Sequence, residues 1–292
     1  MKNKKPNITI PVDLTNPGQF FACCGLLELA DRLWPGAEGW FAHDHFMIAG
    51  PSLCSLTIML EKLSASAVAN TMTPVQIDRL VDLTAMKKRK EITPNQEEEK
   101  KELESLQREL PIVISGAVSF RVDWFVDEYS GGSRFKTWAG QQSVLNIATA
   151  MHDGMRGLSV ESPSSLWTSV RGIGLPFNFD SDLGGQGSAL DIGFSFDPLA
   201  GSETTRIEGT CKPAMELLCF IGLQRFRPRE IPRENRFVYV AWSEPLGPCV
   251  ASPVVSQAVP MSGPVFEFPL LYRTKYLKSF LPAQPYQGER DV

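Results

Sequence analysis

From Gln19 to Leu33 the chain carries a helix pattern so apolar that it belongs in a core. Phe20, Cys23, Cys24, Leu27 and Ala30 recur at helical spacing, and Leu26, Leu29 and Leu33 widen the face. Asn16 and Pro17 form an N-cap and first-turn pair, and Pro35-Gly36 stops the helix. Ile8 to Val12 reads as a strand before it. Gly39 to Ile48 and Leu53 to Leu60 read as two strands after it, around an Ala49-Gly50-Pro51 turn. Residues 1–60 thus read as a β-α-β-β unit, the opening of split-βαβ, ferredoxin- or RRM-like folds.

A second apolar helix is expected over Lys212 to Phe226. The first helix reads C-C-G-L-L-E-L-A-D-R-L-W-P and the second F-I-G-L-Q-R-F-R-P, so each sets Gly-Leu inside an apolar helix that ends near Arg and Pro. Duplication of a β-α-β half would give this echo, and so would chance. Strand character returns over Pro111 to Phe125, Leu190 to Phe196 and Phe237 to Trp242, and the prolines from Pro245 to Pro285 point to short edge strands and turns. The fold class expected is α+β, with antiparallel sheets and packed helices. Residues 61–110 form a charged helical insertion, a solvated hairpin carrying Lys87-Lys88-Arg89-Lys90 and an acidic block from Glu97. Residues 111–292 form an α+β remainder that shares a core with 1–60.

With 292 residues and a formal net charge of −4, any nucleic-acid contact has to come from local patches. The six cysteines have no C-x-x-C spacing, and Cys23 and Cys24 read as small core residues. No apolar run approaches a membrane span, and the basic start M-K-N-K-K lacks the apolar stretch of a signal peptide. A cytoplasmic protein with no membrane partner is expected.

Arg134 to Ser143 (R-F-K-T-W-A-G-Q-Q-S) joins cations, aromatics and amides without an acid, Cys or His. Arg134 and Lys136 can neutralise phosphates, Trp138 can stack a base, and Gln141 and Gln142 can read or bridge. The alternative is that Phe135 and Trp138 are core anchors, leaving Lys136 to face a ligand. A companion cluster holds Arg225, Arg227 and Arg229, with Arg233 and Arg236 behind them, five arginines in twelve residues. Arginine suits bidentate phosphate contact. Pairing with Glu230 or Glu234 and the dipole of a helix C-terminus are the structural alternatives. Tyr272 to Lys278 is basic and aromatic too, but edge strands carry such cations to resist aggregation.

No catalytic constellation emerges, so the chain is not expected to be an enzyme and no metal or cofactor is assigned. His43 and His45 would share one strand face without a third ligand, with Asp44 opposite. Asp180, Asp182 and Asp191 read as turn-makers, and Gly184 to Ser188 lacks the Gly-Lys-Ser/Thr ending of a phosphate loop.

The blocks V-D-L-T-N-P-G-Q-F-F-A-C-C-G-L-L-E-L-A-D-R-L-W-P from Val12, F-R-V-D-W-F at 120–125, F-K-T-W-A-G-Q-Q-S at 135–143, A-L-D-I-G-F-S at 189–195 and E-L-L-C-F-I-G-L-Q-R-F-R-P at 216–228 resemble a CRISPR-associated family. It is the third Csb protein of type I-G (formerly I-U) systems, grouped with the small Cascade large subunits. The resemblance implies a non-catalytic subunit of an RNA-guided DNA-surveillance complex. Its implied partners are guide RNA, target DNA, other Cascade subunits and a helicase-nuclease that docks on the assembly. A guide-RNA backbone or handle-binding subunit, and a scaffold that binds protein alone, are the alternatives.

Overall fold

Two helices expected from their apolar patterns, α1 (Pro17–Leu33) and α7 (Pro213–Arg225), lie side by side at the centre of the molecule. The computed structural model describes residues 4–126, 136–138, 142–158, 162–163, 165–172, 176–182, 210–272 and 278–288. The architecture is mixed α+β with antiparallel sheets. Asn16 caps α1 by accepting the Gln19 N–H, with Pro17 in the first turn.

The helices run parallel and touch backbone to backbone. A Cβ on Gly25 would lie 2.0 Å from the Leu218 carbonyl oxygen, and one on Gly222 would lie 2.1 Å from that of Phe21. Each glycine faces the carbonyl one turn before the other, so the contact is reciprocal. The Gly-Leu echo in the two sequences therefore has a packing cause in both.

After α1 come β2 (Glu38–Ala42) and β3 (His45–Ala49), a tight hairpin. With β1 (Ile8–Pro11) they form a sheet in the order β1-β3-β2. The run Gly39 to Ile48 is thus two strands, not one, and His43 and Asp44 form the hairpin turn. His43 has φ +53°, so the expected pairing of His43 and His45 on one strand face is not found. The strand expected over Leu53 to Leu60 is instead helix α2 (Leu56–Ser64). Leu56, Met59, Leu60 and Leu63 are its buried residues, a helical spacing that a short apolar run leaves indistinguishable from a strand.

Residues 61–110 contain more than a hairpin. Strand β4 (Ala67–Asn70) joins β5 (Ile112–Ser115) and β6 (Ser119–Val122) in a second sheet, order β4-β5-β6. The hairpin proper is α3 (Pro74–Arg89) and α4 (Pro94–Glu109). Each opens on Thr-Pro-X-Gln and forms a full capping box, Thr73 with Gln76 and Thr93 with Gln96. The bidentate Arg79–Glu99 pair and Lys87–Glu97 cross between the two helices. Replacing Thr93 with Ala should cost about 1 kcal/mol, as loss of such caps usually does. Urea unfolding of the full chain measures this.

Helices α5 (Val144–Met155) and α6 (Ser165–Thr168) precede the two-stranded pair β7 (Arg171–Gly172) and β8 (Thr210–Cys211). Beyond α7, β9 (Arg229–Ile231) and β10 (Arg236–Val240) form another hairpin. It belongs to a sheet ordered β12-β11-β10-β9, with β11 (Val265–Tyr272), β12 (Lys278–Phe280) and β13 (Gln284–Pro285) on β11. The proline-rich stretch is richer in structure than expected, with helix α8 (Pro248–Val255) and an eight-residue β11. Pro248 sits in the first turn of α8, where a missing N–H does no harm. The strand expected over Leu190 to Phe196 lies outside the described residues.

The Phe41 N–H donates to the Trp242 carbonyl, and Gly39 exchanges backbone bonds with Leu246, joining the first sheet to the chain beyond β10. Over this junction Phe20 stacks on Tyr239 and Phe41, at centroid distances of 4.2 and 5.0 Å. A second aromatic group surrounds Phe220 of α7. No helix among the described residues is long and apolar enough to cross a membrane.

Candidate nucleic-acid interface

The first basic-aromatic segment is only partly described. Arg134 and Gln141 lie outside the described residues, while Lys136, Trp138 and Gln142 lie within them. Trp138 does not offer a stacking face to a base. It is 2% exposed and packs against Phe177, Phe125 and Trp124 at 5.2, 5.6 and 5.7 Å, so the core-anchor alternative describes it. Its burial follows from the apolar box those rings form with Phe220. Lys136 is half-buried, its ammonium 5.4 Å from the Trp138 ring centroid. Gln142 is half-buried just before Ser143, which caps α5 by accepting the Asn146 N–H.

The arginine cluster divides into two kinds. Arg225, on the last turn of α7, is an ion-pair residue: its Nε donates to Glu28 Oε2 at 2.6 Å, and Glu28 also holds Arg32. Glu28 is buried, so Arg225 is the counter-charge that its burial requires. This contact also ties α1 to α7 past the glycine crossing. Arg229 donates Nε and Nη2 to Gln257 Oε1, and its guanidinium lies 5.9 Å from the Tyr286 ring centroid. Arg236 pairs with Glu267 at 3.0 Å.

Arg227 and Arg233 are different. Both are exposed, and neither has an ion-pair partner among the described residues. Arg227 lies between the end of α7 and the edge strand β9, and Arg233 lies in the β9–β10 turn with φ +69°. The half-exposed Arg229 sits between them in sequence. Two cations without an ion-pair partner among the described residues, one at each end of the edge strand β9, can each meet a separate phosphate, which gives this edge a better claim than the 134–143 segment. Glu230, a proposed structural partner of the cluster, is half-buried in β9, and Glu234 is exposed in the turn.

The structure also holds an ionic group the sequence did not reveal. At the paired N-termini of α1 and α7, Asp180 accepts a bond from Asn16 Nδ2 at 2.8 Å and pairs with Lys212 Nζ at 2.8 Å. Asp182 reaches the same ammonium at 3.4 Å. Buried Glu216 accepts the Phe179 and Asp180 N–H groups at 3.1 and 3.2 Å. Asp180 is therefore a buried ionic anchor as well as the turn-maker expected, its Oδ1 also accepting the Asp182 N–H at 3.1 Å. Burial, and then the nearby Asp180 charge, lifts Glu216 to about 8. Burial alone would lower Lys212, but Asp180 and Asp182 outweigh it and raise the ammonium above its ordinary value. The one signal in the sequence was a glutamate inside an otherwise apolar helix. Its partners lie more than thirty positions away.

His152 is buried, its Nε2 3.0 Å from the Leu63 carbonyl, which accounts for it without chemistry. Among the described residues, no group of three or more His, Cys, Asp or Glu is placed to hold a metal ion. The geometry offers anion contact at an arginine edge. No protein-family model, curated protein or solved structure matches the chain.

Proposed function

We propose that the chain is a non-catalytic subunit of a type I CRISPR RNA-guided DNA-surveillance complex, touching guide RNA or target DNA along the Arg227–Arg233 edge. The carrying observation is that these two arginines are exposed and have no ion-pair partner among the described residues, whereas Arg225 and Arg236 are spent on carboxylates. The class of polymer rests on the resemblance to the third Csb family; the position of the contact rests on the geometry. The half-exposed Arg229 lies between Arg227 and Arg233 in this reading, and Lys136 would be a separate contact.

The test is the salt dependence of nucleic-acid binding by the assembled complex, with guide RNA present. Each lost phosphate contact should lower the slope of log affinity against log salt by roughly 0.7–0.9. Replacing both Arg227 and Arg233 with Ala should therefore flatten it by about 1.5 and weaken binding several-fold at physiological salt. An unchanged slope in an intact complex would remove this edge as the contact.

A further inference from the structure

A groove of about 500 Å³ lies at the β2–β3 turn end of the first sheet, away from the polymer-contact residues in sequence. Its walls are apolar: Pro11, Val12, Leu14 and Trp167. Trp167 is held in place because its indole N–H donates to the Pro11 carbonyl. Asp13 and Asp44 stand at the groove with His43 and Thr15, and no lysine or arginine lines it.

Both carboxylates are fixed. Asp13 Oδ1 accepts the Thr15 N–H and hydroxyl at 2.8 and 2.7 Å, and Asp44 Oδ1 lies 2.7 Å from His45 Nδ1. The Asp44 backbone N–H, and then the His45 ring, keep the Asp44 carboxyl below the ordinary carboxylate range. The hairpin turn that carries Asp44 is itself tied to the strand, because the Val12 N–H donates to the Asp44 carbonyl. Negative charge thus borders a shallow, largely apolar groove with the edge of Trp167 at its floor.

We infer that this groove receives an arginine side chain presented by a segment of a partner protein. The charge complementarity is with two carboxylates that no lysine or arginine of the groove occupies; the His45 ring is the group already against Asp44. The apolar wall selects the weakly hydrated guanidinium over an ammonium, because arginine tolerates contact with aromatic and apolar surface at smaller desolvation cost. The inference is independent of the nucleic-acid reading, which concerns a different set of residues of opposite charge. It gives this acidic chain a protein-facing side.

The probe is the peptide acetyl-Gly-Gly-Arg-Gly-Gly-amide, compared with its citrulline counterpart, which has the same shape but no charge. Binding to the full chain is followed by nuclear magnetic resonance through the Trp167 indole N–H, identified by its loss in Trp167→Phe. Saturable shifts are expected at millimolar arginine peptide, at least tenfold weaker with citrulline, and weakened by added salt. Asp13→Asn with Asp44→Asn should abolish the preference for arginine. Asparagine keeps the oxygen that accepts from Thr15, so the fold is retained, and Asp44→Asn alone serves if the pair does not fold. Equal binding of the two peptides, equal binding of a leucine peptide, no shift at tens of millimolar, or a preference that survives in the variants would each overturn the inference.

Discussion

Replacing Gly222 with Ala should destabilise the protein by roughly 3 kcal/mol or more, at the upper end of what overpacking usually costs. The added methyl would lie 2.1 Å from the Phe21 carbonyl oxygen and 2.8 Å from the Gly25 nitrogen, so α1 and α7 would have to separate. Neither neighbour is the end of a flexible side chain. For a chain of this length the loss corresponds to a fall in melting temperature of about 5 °C. Gly25→Ala should act alike, because its methyl would meet the Leu218 carbonyl at 2.0 Å. Gly36→Ala is the control: Gly36 has φ +88° but nothing within 4 Å, so backbone strain alone should cost about 1 kcal/mol. Thermal unfolding of the three variants decides whether the crossing is as close as described. Similar losses in all three would show that it is not.

The second large effect is a dependence of stability on pH centred on Glu216. Its carboxyl is raised to about 8 in the folded chain, against an ordinary value of 4.5. The folded state therefore binds this proton more tightly than the unfolded state. The stabilisation it brings is complete below pH 4.5 and is lost as the pH rises toward 8. Across that window this one group should lower stability by up to about 1.4 kcal/mol per pH unit. Glu97 and Glu99 have lowered values because Lys87 and Arg79 hydrogen-bond to them, so their contributions fade only as the pH falls below the ordinary carboxylate range. The two trends occupy opposite sides of pH 4.5. Glu216→Gln keeps an acceptor for the Phe179 and Asp180 N–H groups and should flatten the fall between pH 5 and 8. Urea unfolding at several pH values measures it. Stability that rises across the window, with the same slope in the variant, would exclude Glu216 as its source.

The parts of the fold that were legible are those whose cause is local. Asn16-Pro17 starts α1 through one cap and one ring, and the alternation in Ile112, Ile114, Phe120 and Val122 places the buried faces of β5 and β6. Helix α2 was not legible, because Leu53 to Leu60 is too short for its period to separate a strand from a helix. The α8 helix was hidden by prolines, although Pro248 stands where proline suits a helix. The arginine cluster was visible as composition. Its division was not, since the carboxylate that occupies Arg225 lies 197 positions away in α1. Trp138 was ambiguous for the same reason: aromatic residues serve cores and ligands alike, and the rings around it come from distant segments.

The parallel docking of α1 against α7 also sets a constraint on synthesis. The surface that shelters Phe21 and Gly25 is built from Leu218 and Gly222, near the far end of the chain. At ordinary translation speeds of ~5–20 residues per second, the early helix waits roughly ten to forty seconds for its neighbour to be made. During that interval a strongly apolar segment stands without its partner. Ribosome-bound chains ending before α7 are therefore the species in which this protein is most exposed to aggregation and most dependent on chaperones.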